Sequence, residues 1–146
     1  MNSHDLNSQA RATVEAELRR RGAMVTSRGT RNVRLHATNS NGTRNVEIRV
    51  KAKRKGNWHS TVEDGSPADD PLIDTRSFWI FVDFGGEPKY WIVPDVWMRN
   101  DIHVAHLDYL SRHGGHRAKN DRSNHHSIAE ARLDKWQDRW DILNVF

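Results

Sequence analysis

The chain has 146 residues, no cysteine and a formal net charge of +4 at neutral pH. The absence of cysteine excludes a disulfide framework and a thiolate zinc site, and no run of about 18 apolar residues is present to span a membrane. The length fits one domain over residues 1–146. The amino terminus lacks the apolar core of a signal peptide, so we expect a cytoplasmic protein with no membrane partner.

A helix is predicted over residues 6–21. Its apolar residues recur every four positions: Leu6, Ala10, Val14 and Leu18. Gly22 follows three arginines, a pattern typical of a helix that ends on a glycine with cations near its carboxyl-terminal dipole. A short apolar piece, 23–26, then leads into the next element.

The next element is a predicted hairpin with strands over 32–39 and 43–52. Its turn contains Asn41-Gly42, which favours the two positive φ angles of a type I′ turn. Side chains alternate between the two faces of a strand, so one face of the hairpin is apolar. The other face is predicted to carry Arg34, His36, Glu47, Arg49 and Lys51.

Residues 56–76 show neither the helical nor the strand periodicity of apolar residues and are predicted to form a long loop. Its acids are expected to be solvated: Glu63, Asp64, Asp69 and Asp70. Two strands follow over 77–84 and 89–93, and the continuous apolar run of the first predicts burial on both faces. A helix is predicted to begin at Pro94-Asp95 and to end near Gly114.

A last helix is predicted after a basic loop, with Ser127 and Glu130 as its capping box. Its apolar face is predicted to be core: Ala129, Leu133, Trp136, Trp140 and Leu143. The elements together predict an α/β (α+β) fold, with a mixed sheet of about five strands, an N-terminal helix and two C-terminal helices.

Positive charge is clustered at the end of the hairpin, where a field strong enough to attract a polyanion can arise. The charged row continues into a basic run of Lys53, Arg54 and Lys55. The alternative is a solubilising strand edge, since cationic edges also prevent sheet-to-sheet pairing. Trp58 follows in a basic context, where it either stacks on a base or anchors the loop to the sheet.

Three features together resemble the PD-(D/E)XK nuclease superfamily. They are G-x-x-V after the first helix, E-I-R-V-K in the second hairpin strand, and K-x-x-G-N-W after it. The resemblance implies a restriction-endonuclease-like fold, as in small bacterial proteins of that type and in Holliday-junction resolvases. It also implies two acids that bind Mg²⁺ and a lysine that activates water.

Carried over to this sequence, those acids fall at about Arg34 and at Arg49, and the lysine falls at Lys51. The additional helix glutamate of many members falls near Gln9 or Ala10. Guanidinium groups repel a divalent cation, so no metal or other cofactor is expected.

The leading hypothesis is therefore a nuclease-like protein that binds the nucleic-acid backbone, DNA more than RNA, with cleavage weak or absent. Its predicted footprint is Arg34, Arg49, Lys51, Lys53, Arg54, Lys55 and Trp58. The first alternative is an active Mg²⁺-dependent endonuclease with a migrated acidic site. Its catalytic residues would be Glu47 and Lys51, with Glu15 or Glu17 and His36 as further metal ligands. Glu47 equally fits as an ion-pair partner of Arg34 or Arg49.

Two further alternatives stay open. One is a protein-interaction module, such as the inactive partner of a nuclease, and a homodimer fits the same description. The other is a metal site built from histidine pairs: His103 with His106, His113 with His116, and His125 with His126. The last of these pairs also offers phosphate contacts when it is protonated.

Overall fold

The computed structural model describes residues 3–28, 34–68, 75–114 and 125–146. In these residues lie two α-helices, α1 (Ser3–Arg20) and α2 (Asp95–Arg112). The strands are β1 (Met24–Arg28), β2 (Arg34–Thr38), β3 (Asn45–Lys53), β4 (Trp58–Thr61), β5 (Ser77–Asp83), β6 (Lys89–Pro94) and β7 (His125–Ile128). Short 3₁₀ helices cover Val62–Asp64, Glu130–Trp136 and Trp140–Leu143.

Five strands form one mixed sheet in the order β1-β2-β3-β5-β6. β3 and β5 run parallel, and the other neighbours are antiparallel, which confirms the predicted mixed α/β architecture. Parallel neighbours need a crossover connection, and residues 54–76 provide it. Within this crossover, β4 pairs with β7 in a second, two-stranded sheet. The stretch predicted as a featureless loop therefore contains a strand and a 3₁₀ turn.

The first face of the large sheet packs against α1. Ala10, Val14 and Leu18 are fully buried against a cluster that includes Val46 and Ile48 of β3. Their four-residue spacing places them on one side of the helix, as predicted. In this way α1 occupies the apolar face of the hairpin.

The second face is covered by α2 and by the segments around β4 and β7. Trp79 and Phe81 point to this side, where they join Trp91, Met98 and Ile102 in a separate buried cluster. Because Phe78, Ile80 and Val82 belong to the first cluster, β5 is buried on both faces, as its apolar run predicts. Each face of the sheet thus has its own core.

The carboxyl end of α1 confirms the predicted glycine cap. The amide of Ala23 donates to the carbonyl of Leu18 at 3.0 Å, and the amide of Gly22 donates to that of Arg19 at 3.0 Å. This pair of hydrogen bonds is a Schellman motif, and it requires the positive φ of +111° that Gly22 adopts.

The hairpin alternation is confirmed for the part of it that the structure describes, which excludes residues 32 and 33. His36 pairs with Glu47 and Leu35 with Ile48 across β2 and β3. The predicted type I′ turn is wrong, because Gly42 has a positive φ and Asn41 does not. Instead the carboxamide of Asn41 accepts hydrogen bonds from Thr43, from the amide at 3.2 Å and the hydroxyl at 2.7 Å, which stabilises a wider loop.

The last predicted α-helix is also wrong, because this region consists of two 3₁₀ helices. Two residues interrupt them. Gln137 forms an isolated β-bridge with Trp91. Asp138 has a positive φ of 55°, and its amide donates to the carbonyl of Tyr90 at 2.9 Å. Ser127 lies in β7, and the first 3₁₀ helix has no side-chain cap. Trp136 and Trp140 are nevertheless buried, as predicted. In the parts of the chain that are described, no helix has the length and apolar composition needed to cross a membrane.

Candidate functional site

The charged row of β3 lies on the second face of the sheet, where the crossover and α2 partly cover it. The side chains of Arg34 and Arg49 are 28% and 20% exposed, and that of Glu47 is 50% exposed. The predicted charged face of the hairpin is therefore partly buried at Arg34 and Arg49. We call Arg34, Arg49, Lys51 and Arg99 the cation cluster.

Asp64, in the 3₁₀ turn of the crossover, connects this turn to the cluster. Its carboxylate lies 3.2 Å from Nη1 of Arg49 and accepts a hydrogen bond from Ser60 Oγ at 2.5 Å, while its carbonyl accepts one from Arg99 at 3.2 Å. Burial acts to raise the pKa of Asp64, but Ser60 and Arg49 outweigh it and hold that pKa below its ordinary value. The expectation that Asp64 is a solvated loop acid is wrong.

The first turn of α2 holds a second carboxylate beside the cluster. Asp95 accepts hydrogen bonds from Nε of Arg99 at 2.9 and 3.0 Å and from the indole of buried Trp79 at 2.6 Å. The guanidinium of Arg49 stacks on the same indole, 4.4 Å from the ring centre. Sequence reasoning missed Asp95 and Arg99. Their spacing of four residues after a helix-starting proline was the available signal.

Positive charge exceeds what the neighbouring acids neutralise. Burial and then the charge of Arg49 lower the pKa of both Arg34 and Lys51 from their ordinary values. The ammonium of Lys51 donates to the carbonyl of His59 at 3.2 Å, and Nε of Arg34 lies 3.5 Å from Glu47. A cleft of about 70 Å³ opens at the arginines of this cluster; its lining includes Arg34, Glu47, Arg49, Asp95 and Arg99.

Lys53 does not belong to this surface, contrary to the predicted footprint. Its side chain is 9% exposed and its ammonium donates to the carbonyl of Gly56 at 2.8 Å. The same group lies 3.6 Å from Asp83, 3.5 Å from Glu130 and 4.5 Å above the ring of Trp58. Lys53 is thus a structural cation. Arg54 and Lys55, next along the chain, are exposed.

Trp58 is buried, so the prediction that it stacks on a base is wrong, and the alternative that it anchors the loop to the sheet is confirmed. Only 1% of its surface is exposed, and its indole donates to the carbonyl of Val82 at 3.1 Å. Its ring meets Phe81 and Trp91 edge-on, with centroids 5.1 Å apart in both pairs. Trp58 therefore fastens β4 to the large sheet.

The migrated acidic site is not assembled as predicted. Glu47 and His36 face each other across the hairpin, but Glu15 and Glu17 lie on α1, which covers the opposite face of the sheet. Glu15 pairs with Arg19 at 2.8 Å, and Glu17 pairs with Arg20 and Arg21.

The described ranges contain no group of three histidine, aspartate or glutamate side chains that could hold a metal ion. The absence applies to His103, His106, His125 and His126 and to Glu47 of β3, while His116 lies outside the described residues. Of the other predicted loop acids, Glu63 is exposed, and Asp69 and Asp70 lie outside the residues that are described.

No family model, curated protein or solved structure matches this chain. The resemblance to PD-(D/E)XK nucleases therefore stays a prediction from the residues quoted above.

Proposed function

We propose that this chain binds the sugar–phosphate backbone of nucleic acid through the cation cluster, and that it cleaves the backbone weakly or not at all. The observation that carries this proposal is that the guanidinium groups of Arg34, Arg49 and Arg99 line one cleft, with the Lys51 ammonium close enough for the like charges to repel. A bound phosphate would relieve that repulsion. The preference for DNA over RNA comes from the nuclease resemblance alone.

The geometry of the arginines supports phosphate as the ligand. Guanidinium groups donate in a planar fork that matches two phosphate oxygens, and such charge-assisted bonds are stronger than neutral ones. Asp64 and Asp95 hold Arg49 and Arg99 in place from the protein side. The arginines are thus positioned before the ligand arrives, which lowers the entropy cost of binding.

The same arrangement disfavours a catalytic Mg²⁺. This ion needs several oxygen ligands, and each carboxylate beside the cluster already pairs with an arginine: Glu47 with Arg34, Asp64 with Arg49, and Asp95 with Arg99. A metal ion would have to break these pairs while facing three guanidinium groups. If the protein is an enzyme, its activity would be that of a metal-dependent phosphodiesterase using Lys51 and Glu47.

Binding of labelled DNA and RNA in EDTA, measured against salt concentration, tests the proposal. Each phosphate contacted contributes roughly −0.9 to the log–log slope on duplex DNA, so the four cations predict a slope of about −4. Arg49→Gln should weaken binding about tenfold and reduce the slope by about one.

Arg11→Gln is the matched control, because Arg11 lies on α1 and this helix packs against the opposite face of the sheet. Thermal unfolding of each variant confirms that it is folded. Equal affinity in the two variants would contradict the proposal.

A further inference from the structure

The cleft at the cation cluster is small for a ligand site. Its volume of about 70 Å³ is far below the roughly 300–1,000 Å³ of pockets that enclose a whole small molecule. It has room for a few water molecules, since one water needs about 10–15 Å³. A single phosphate group is of this size, whereas a nucleoside is not. The cleft therefore suits one anionic group, with the rest of the ligand outside it.

Two of the arginines that line this cleft keep hydrogen-bond donors for a ligand. Within the described part of the chain, the guanidinium of Arg34 makes no hydrogen bond, and its contact with a carboxylate is the ion pair from Nε to Glu47 at 3.5 Å. Arg49 approaches Asp64 through Nη1 at 3.2 Å, and its guanidinium lies 4.4 Å from the centre of the Trp79 ring. Because β2 and β3 are neighbours in the sheet, they bring both arginines to one small space.

The balance of charge in the cleft depends on Glu47. The four residues of the cation cluster have three carboxylates beside them, those of Glu47, Asp64 and Asp95. Asp64 and Asp95 are 21% and 22% exposed, and each also accepts a hydrogen bond from an uncharged side chain. Glu47 is 50% exposed and has only its ion pair with Arg34 among the described residues, an interaction that contributes little in water. An anionic ligand would displace Glu47 first, and four cations would then face two carboxylates.

We propose that the cleft binds the terminal phosphate monoester of a nucleic-acid strand between Arg34 and Arg49, with Glu47 displaced into solvent. A phosphate monoester carries a charge of about −1.5 to −2 at pH 7 and offers three terminal oxygens. An internal phosphodiester carries a single charge and offers two such oxygens. The monoester therefore matches the excess of positive charge and the two planar guanidinium groups better. This inference rests on the proposed function, because it names the part of a strand that the cation cluster prefers.

Lys51 extends the binding surface from the cleft along β3. It lies two residues after Arg49 on the same face of the strand, and its ammonium is 5.9 Å from the centre of the Trp79 ring that Arg49 also contacts. Lys51 does not line the cleft itself. We therefore expect Lys51 to contact the next phosphate of the strand, which is present whether or not the strand end is phosphorylated.

The ligand itself makes the preference depend on pH. A monoester loses its second proton near pH 6, so its second charge is present at pH 8 and is lost as the pH falls to 5. The charged and titratable groups around the phosphate are Arg34 and His36 of β2, Glu47, Arg49 and Lys51 of β3, Asp64 of the crossover, and Asp95 and Arg99 of α2. His36 gains a proton over the same range, which favours every anionic ligand at low pH. A preference for the phosphorylated end that grows with pH therefore reports the charge of the phosphate.

Fluorescence-anisotropy titration of the whole chain in EDTA tests the proposal. One single-stranded oligonucleotide is compared in three forms, with a 5′-phosphate, with a 3′-phosphate and with no terminal phosphate. At pH 8 we expect at least one phosphorylated form to bind about tenfold more tightly than the unphosphorylated form, and at pH 5 we expect this advantage to fall to about threefold or less. The form that gains affinity identifies the strand end, and a gain at either end upholds the site.

Arg34→Gln should remove most of this preference, because it takes away donors that line the cleft. Lys51→Gln is the matched comparison: it should weaken all three forms by a similar factor and keep the preference. Thermal unfolding confirms that each variant is folded. Equal binding of the three forms by the unsubstituted chain would overturn this inference and leave backbone binding intact, whereas no binding of any form would overturn both. An equal loss of the preference in the two variants would also contradict the assignment to this cleft.

Discussion

Lys53→Met tests whether Lys53, the last residue of β3, is a structural cation rather than part of the nucleic-acid-binding surface. The substitution keeps an unbranched apolar stem against Trp58 and removes the ammonium group. That group donates to the carbonyl of Gly56 at 2.8 Å and lies within 3.6 Å of the Asp83 and Glu130 carboxylates. We expect lower stability without a specific loss of nucleic-acid binding.

The magnitude follows from the interactions that are lost. A hydrogen bond from a charged donor contributes about 1.5–3 kcal/mol, and each partly exposed ion pair contributes roughly 0–1 kcal/mol. Contact with the Trp58 face adds roughly 1 kcal/mol, and relief of the desolvation of the buried ammonium offsets part of the total. A net loss of about 2 kcal/mol should lower the melting temperature by about 4–8 °C for a chain of this size.

Thermal unfolding and nucleic-acid binding, measured on the same preparations, check this prediction. Lys55→Met is the control, because Lys55 is exposed and the charge change is the same. Equal melting temperatures for the two variants would refute the structural role of Lys53. So would an unchanged melting temperature combined with a tenfold loss of affinity.

Three further predictions concern stability. Trp58→Ala should cost about 3–5 kcal/mol in chemical denaturation, because it empties a fully buried site; a cost below about 1 kcal/mol would mean that Trp58 is not packed as described. Gly22→Ala should lower the free energy of unfolding by about 1–2 kcal/mol, because alanine would have to adopt the positive φ of this position. Steric contact adds nothing, since no atom lies within 4 Å of the added methyl group. An unchanged melting temperature would contradict this prediction. Because the pKa of Asp64 is lowered in the folded state, its stabilising contribution is present above about pH 4 and is lost as the pH falls through the folded-state pKa. Asp64→Asn should therefore make the free energy of unfolding depend less on pH in this acidic range. An unchanged pH dependence would exclude Asp64 as its source.

Sequence patterns predicted the elements whose structure depends on near neighbours. The alternation in β2 and β3 and the four-residue repeat of α1 define which side chains are buried, because a one-residue shift would expose the whole apolar set. The spacing of Trp136 and Trp140 also predicted burial correctly. It did not distinguish an α-helix from 3₁₀ turns, because the hydrogen bond from Asp138 to Tyr90 that breaks the helix is a long-range contact.

The candidate site was only partly predictable for the same reason. Arg49 and Lys53 occupy equivalent positions of the strand alternation, yet one faces a cleft and the other is enclosed by Asp83, Glu130 and Trp58. What separates them is the path of the crossover and the docking of α2. The spacing of apolar residues along the sequence does not determine the path of the crossover. Asp64 could therefore not be recognised from the sequence as the partner of Arg49.

The central claim, that the cation cluster binds nucleic acid without a functional metal site, is tested most directly by one combined assay. Labelled DNA and RNA are incubated with the chain in Mg²⁺, Mn²⁺ or EDTA, and binding and cleavage are read from the same samples. We predict binding that persists in EDTA, weakens with salt and is reduced in Arg49→Gln, with little or no cleavage in any condition. Metal-dependent cleavage that Lys51→Ala abolishes would contradict the claim, and the absence of any binding would favour a protein partner instead.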